Sequence, residues 1–216
     1  MKKGEDSLLK KAKLPLILLG ILIVIFIFTG IYAKAGVLSW FLEVVPAFIG
    51  ILFLIITYKK FPMSNWVYWC VFFHSLILVY GGFYTYAATP LGNWAKVTFD
   101  LSRNHYDRIG HLAVGLFPVF IIKEVLLRKT KLERNAWLIF IVLSIVLAIA
   151  AFWELVEWWT TLFVASDIGQ SYLGSQGDIW DAQWDMLLAV VGAIISLVFF
   201  SKKHDKSMNK LNLAKK

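Results

Sequence analysis

The chain has 216 residues, 59% of them hydrophobic and only 17% charged, with a formal net charge of +8 and a mean hydropathy of +0.70. The charges cluster between long apolar runs, which excludes a soluble globule, and no basic stretch is interleaved with aromatics, which removes nucleic acid as the reason for the positive charge. The single cysteine, Cys70, lies inside an apolar run, so an intrachain disulfide and a cysteine-based zinc site are excluded.

A membrane-crossing helix needs about 20 mostly apolar residues to traverse about 30 Å of hydrocarbon. Taken in chain order, the runs that qualify are Leu14–Tyr32, Leu42–Tyr58, Trp66–Ala87, Tyr106–Leu127, Ala136–Phe163 and Ile179–Phe200. The first follows a lysine-rich start and precedes Ala33-Lys34-Ala35, which also fits a cleaved signal peptide. Its apolar run of about 18 residues exceeds the 7–15 of a signal core, so it reads as a span. The second has Pro46 near its start, where a missing N–H does least harm. The fourth carries Asp107, Arg108 and His111 in its first turns.

The fold class is therefore all-α, a polytopic helical membrane protein with about six transmembrane helices. Basic residues accumulate on the cytoplasmic side of membrane proteins. With both termini cytoplasmic, 18 of the 22 Lys and Arg residues fall on that side, leaving Lys34, Lys96, Arg103 and Arg108 opposite, where Gly92 and Gly169 fall in the outer loops. Residues 1–13 then form a cytoplasmic basic N-terminus, 14–200 a six-helix transmembrane domain and 201–216 a cytoplasmic basic tail, with membrane lipids as partners. His204 in that tail reads as solvated.

Asp107, Glu154, Glu157, Asp178, Asp181 and Asp185 stand at or inside the ends of the last three spans. A carboxylate near the bilayer centre costs roughly 2.5–3.5 kcal/mol on insertion scales, so such groups are normally buried in the bundle, paired or functional. The topology sets all of them at one depth near the outer face. Asp107 and His111 are spaced i,i+4, Glu154 and Glu157 i,i+3, and Asp178, Asp181 and Asp185 step by three and four, so each set forms one stripe. Gly115 and Gly192 extend the stripes with residues that permit close helix approach. His74, Gly81 and Thr85 make a comparable stripe in the third span.

Plain structural roles compete with functional ones. Ser175 and Asp178 fit a capping box at the start of the sixth helix, Arg108 is able to pair with a carboxylate, and a lone His74 on an apolar face is most often a packing residue. Trp153, Trp158, Trp159, Tyr172, Trp180 and Trp184 fit an interfacial aromatic belt. Glu154 and Glu157 are harder to account for, because acids near a helix C-terminus oppose the macrodipole and repel each other.

The segments NHYDRIGHLAVG at 104–115, FWELVEW at 152–158 and LGSQGDIWDAQWDM at 173–186, with YTYAATPLGNW at 84–94, together resemble the YjdF-like family of small bacterial inner-membrane proteins. The resemblance spans roughly Trp66 to Phe200 and implies a six-helix fold and a bacterial inner-membrane location, without a reaction. A weaker likeness joins the chain to VanZ-like membrane proteins, which share an Asp-x-x-x-His helix start and later acidic helices and are associated with glycopeptide tolerance. The QGDIWDAQWDM block at 176–186 departs from that group.

One imidazole among carboxylates suits a divalent metal cation, with oxygen-rich ligation favouring Mg²⁺, Mn²⁺ or Ca²⁺ and the imidazole admitting Zn²⁺ or Fe²⁺. The preferred mechanism is a cation-dependent intramembrane enzyme, a hydrolase or transferase acting on a lipid-linked or cell-envelope substrate. His111, Asp107, Asp181 and Asp185 are its expected metal ligands and Glu154, Glu157 and Arg108 its expected catalytic groups, with His74, Gln176 and Asp178 as further members of the polar cluster. A proton- or ion-coupled transporter and a structural or accessory membrane protein are the alternatives.

Overall fold

The computed structural model describes the backbone of residues 2–164 and 166–213 and the side chains of 12–164, 166–170 and 172–211. Lys2, Lys3, Lys10, Lys11, Lys215 and Lys216, counted above toward the basic ends, have side chains outside the described residues. The regular structure of the described residues is all helix: α1 (Lys2–Ile31), α2 (Val37–Thr57), α3 (Asn65–Tyr84), a 3₁₀ turn (Tyr86–Ala88), α4 (Pro90–Thr98), α5 (Tyr106–Leu116), α6 (Val119–Lys129), α7 (Ala136–Thr161), α8 (Ser166–Leu173) and α9 (Asp181–Leu213). Six of the resulting segments, with α5 and α6 counted as one, are long and apolar enough to cross a membrane.

Local chemistry explains several boundaries. Asn135 caps α7 by accepting a hydrogen bond from the Leu138 N–H at 3.2 Å, and Pro90 opens α4 where its missing N–H costs nothing. Pro118 separates α5 from α6 by interrupting the hydrogen-bond ladder of the fourth span, so the single helix read from hydropathy is two. α2 begins earlier than expected, at Val37, and Pro46 therefore lies in the helix interior. Outward-facing residues such as Ile17, Val24, Ile27 and Phe140 are exposed, as lipid-facing positions should be.

Two apolar clusters carry the packing. Leu22, Phe26, Trp40, Val44 and Leu78 join α1, α2 and α3, while Val67, Val119, Phe120, Val142 and Ala193 join α3, α6, α7 and α9. α5 and α9 approach most closely. A Cβ on Gly115 would run into the Ala189 carbonyl oxygen and one on Gly192 into the Leu112 carbonyl oxygen, so only glycine allows the two backbones to touch.

The loops of the lysine-poor face are more structured than their sequence indicates. Gly92 and Gly169 are buried within the short helices α4 and α8. At the opposite face α9 continues far beyond Phe200, and His204 is completely buried instead of solvated. Its Nε2 lies 3.0 Å from Glu124 Oε2, and the buried Glu124 carboxylate also accepts from the Ser64 N–H at 2.9 Å and from Arg128 at 2.5 Å. Lys123 and Arg134 pair with Asp205 at 3.1 and 3.4 Å. Burying Glu124 requires several donors, and the uninterrupted helix delivers one of them.

Candidate functional site

Asp107 stands in the first turn of α5, Glu154 and Glu157 in the last turns of α7, and Asp181 and Asp185 in the first turns of α9. α5 and α9 run parallel in close contact and α7 runs antiparallel beside them, so the three helix ends meet at one depth. His111 is central to the group. Its ring is 5% exposed, with Nε2 at 3.6 Å from Asp107 Oδ1 and Nδ1 at 3.6 Å from Glu154 Oε1. Ligand-type atoms of Asp107, His111 and Asp185 lie within 4.8 Å of one another, and so do those of His111, Glu154 and Glu157.

Several of these atoms are buried without a hydrogen-bond partner. His111 Nδ1, Glu154 Oε1 and Asp185 Oδ1 are among them, and Asp185 is only 1% exposed. Native interiors satisfy about nine in ten such groups, so a concentration of exceptions on three adjoining helices sets this cluster apart from the rest of the interior.

The fold supplies a second fixed cation, whereas only Arg108 stood beside the acids in the sequence. Arg103, in the loop before α5, reaches Asp181 Oδ1 at 2.5 Å and donates to the Ser175 and Gly174 carbonyls at 2.7 and 3.0 Å. Arg108 pairs with Asp178 at 2.5 Å and lies over the Trp184 ring. Asp181 and Arg108 are thus engaged in ion pairs at the rim. Asp178 does not cap α9, since its Oδ1 accepts from the Trp180 N–H outside the helix and its other oxygen meets the arginines. Gln176 faces the loop, where its side chain bonds both the N–H and the carbonyl of Asn104, at 3.1 and 2.7 Å. With Asp178 and Asp181 paired, Asp107, Glu154, Glu157 and Asp185 remain beside His111.

A fifth buried acid is Glu43, which sequence reasoning passed over and whose charge acts on Tyr86 as those of Asp107 and Glu157 do. It lies in α2, 8% exposed, with Oε1 unpartnered, and its Cβ would be 3.1 Å from a Cβ placed on Gly82 of α3. Its signal was a lone acid in the second apolar run. Tyr86 and Tyr172 complete the roof. The Tyr86 ring fills the space beside Gly81 and Gly110, either of which would collide with it if it carried a Cβ. Burial first, then the Glu43 charge, pushes the Tyr86 hydroxyl well above the usual phenol range. Burial followed by Glu157, Glu43, Glu154 and Asp107 does the same to Tyr172, so both remain neutral. Tyr172 is therefore a buried wall residue and not part of the aromatic belt, although Trp158, Trp159, Trp180 and Trp184 are exposed as a belt requires. His74, in α3, is buried and stacked on Phe117 at 6.3 Å with its Nε2 unpartnered. Thr85 ends α3 with a φ of 68°, so it does not continue the His74 stripe.

Residues 14–206, which include every residue of this cluster, match a family model described as "Predicted membrane protein (DUF2238)". The chain belongs to this family. It is 37% identical over 192 residues to the inner membrane protein YjdF of Escherichia coli strain K12, an alignment covering 89% of this chain and 91% of the relative. No solved structure matches. The likeness carried by the acidic motifs is thus one of family, and six apolar helices make the chain a multi-pass protein of the inner membrane.

Proposed function

We propose that the cluster is the centre of a cation-dependent membrane enzyme acting on a lipid-linked or cell-envelope substrate. The observation that supports this most is the buried His111 ring with a carboxylate oxygen 3.6 Å from each nitrogen. A metal-bound imidazole commonly gives its other N–H to a carboxylate that fixes its orientation. Asp107, His111 Nε2 and Asp185 are the better ligand set, being buried and drawn from the two helices in backbone contact. Neighbouring ligands around a tetrahedral Zn²⁺ stand about 3.4 Å apart, close to the Asp107–His111 separation. Glu154 then orients the ring through Nδ1, and Glu157 is the general base within reach. A bound divalent cation supplies Lewis acidity toward a phosphoryl or carbonyl oxygen or activates water.

By the basic asymmetry, the face bearing α4 and α8 is the outer one, so the site works at the periplasmic surface under a roof made by those helices and the 174–180 loop. Metal analysis of the purified protein tests the reading. About one divalent ion per chain, with a raised melting temperature in that ion, is expected for the wild type, and loss of both in His111→Ala and Asp185→Asn. Glu154→Gln should weaken the ion about 10–100-fold, the range for an outer-shell partner.

The buried carboxylate oxygens of Glu43, Glu154 and Asp185 that lack a hydrogen-bond partner, with the unpartnered His74 beyond them, also favour a second reading as a proton-coupled transporter. Metal-free protein, indifferent to a divalent-ion series and destabilised only by rising pH, would discard the metal centre in favour of that one.

A further inference from the structure

The lysine-rich face carries a pair of adjoining depressions unrelated to the acidic cluster. One is an apolar groove of ≈ 270 Å³ between α1, α2 and α3, lined by Leu16, Leu19, Ile51, Ile55 and Phe72 among others. The other is a hollow of ≈ 470 Å³ of mixed character between the start of α3 and the last turns of α9, where Lys203, Lys206, Ser207 and Lys210 face Leu14, Met63 and Trp66. Tyr58 and Tyr68 line both, so the groove leads into the hollow.

The hollow is held in shape. Ser207 Oγ accepts a hydrogen bond from the Trp66 N–H at 3.1 Å, which fixes the end of α9 against α3. Lys203, Lys206 and Lys210 follow an i, i+3, i+7 spacing and so share one face of α9. Three further cations at this face are paired, Lys123 and Arg134 with Asp205 and Arg128 with Glu124. Among the described residues no carboxylate lies within 4.0 Å of the three lysines. Lys59 stands at the end of the apolar groove and adds to the positive charge.

We propose that this pair of depressions binds one anionic phospholipid, an acyl chain lying in the α1–α2–α3 groove and the phosphate-bearing headgroup among Lys203, Lys206 and Lys210. The continuity of an apolar channel with a hollow bearing three lysines is the complement of such a molecule, and basic pockets between membrane helices bind anionic headgroups. A soluble phosphate would leave the apolar groove unused. A zwitterionic lipid would leave the three lysines without counter-charge.

The test uses the delipidated full chain in neutral detergent, titrated with phosphatidylglycerol, phosphatidylcholine or glycerol 3-phosphate and followed by intact-complex mass spectrometry and melting temperature. One phosphatidylglycerol per chain should be retained, with a raised melting temperature. The Lys203→Gln, Lys206→Gln, Lys210→Gln triple variant should bind it on the order of a hundredfold more weakly, from the usual contribution of a lysine near an anionic headgroup. Ile55→Trp, at a half-exposed position in the groove, should weaken phosphatidylglycerol as well, and this variant decides the matter if the triple variant does not fold. Equal retention of phosphatidylcholine, equal stabilisation by glycerol 3-phosphate, or unchanged binding in the variants would overturn the proposal.

Discussion

At the scale of single residues, Arg103 has more influence on the site than its sequence position indicates. It lies in a loop, 5% exposed, and one guanidinium holds Asp181 together with two carbonyls of the 174–180 segment. Removing one member of a buried ion pair strands the other, which typically costs about 3–5 kcal/mol. Arg103→Met is expected to lose stability of that order in detergent unfolding, and adding Asp181→Asn should restore a large part of it. A loss below about 1 kcal/mol, the range of an exposed pair, would show that Arg103 is dispensable. His111 and the acids at helical spacing were legible in the chain because i,i+3 and i,i+4 positions share a face whatever the tertiary fold. Arg103, Glu43, Tyr86 and Tyr172 were not, since each reaches the cluster from a loop, a short helix or a helix outside the three acidic ones.

At the scale of elements, the α5–α9 contact sets the geometry of the cluster. Gly115 follows His111 by one turn, and Ala189 follows Asp185 by one turn, so the tightest backbone contact lies directly beneath the pair that would share a metal. Gly115→Leu places a side chain where the Ala189 carbonyl stands. The helices must part, at a cost of about 1–3 kcal/mol or more for overpacking. Divalent-ion stabilisation should be lost with it, because His111 and Asp185 move apart. Gly20→Leu makes the control: nothing lies within 4 Å of a Cβ there, and its melting temperature should remain close to wild type. Equal tolerance of both substitutions would remove the close contact as the organiser of the site. The break at Pro118 was visible as a proline in an apolar run, yet hydropathy alone treats α5 and α6 as continuous.

At the scale of the whole molecule, the expected topology has both termini on the lysine-rich, cytoplasmic face. Labelling tests it best at exposed positions, and the structure selects them: Lys96 in α4 and Asp167 in α8 are exposed, whereas Gly92 and Gly169 are buried. In a Cys70→Ser background, Lys96→Cys and Asp167→Cys should react with an impermeant thiol reagent from the periplasmic side. Reaction only from the cytoplasmic side would reverse the orientation and move the acidic cluster to the inner face. The class of the fold, the six spans and the grouping of acids at helix ends follow from the sequence by itself, because run length and residue spacing are local properties that a bilayer converts directly into helices. The tertiary structure alone decided which charges are neutralised. Asp181 is taken by an arginine from a distant loop and the Glu124 carboxylate is met by the His204 ring, while Asp185 and Glu43 each keep a buried oxygen without a partner, since pairing depends on contacts between segments far apart in the chain.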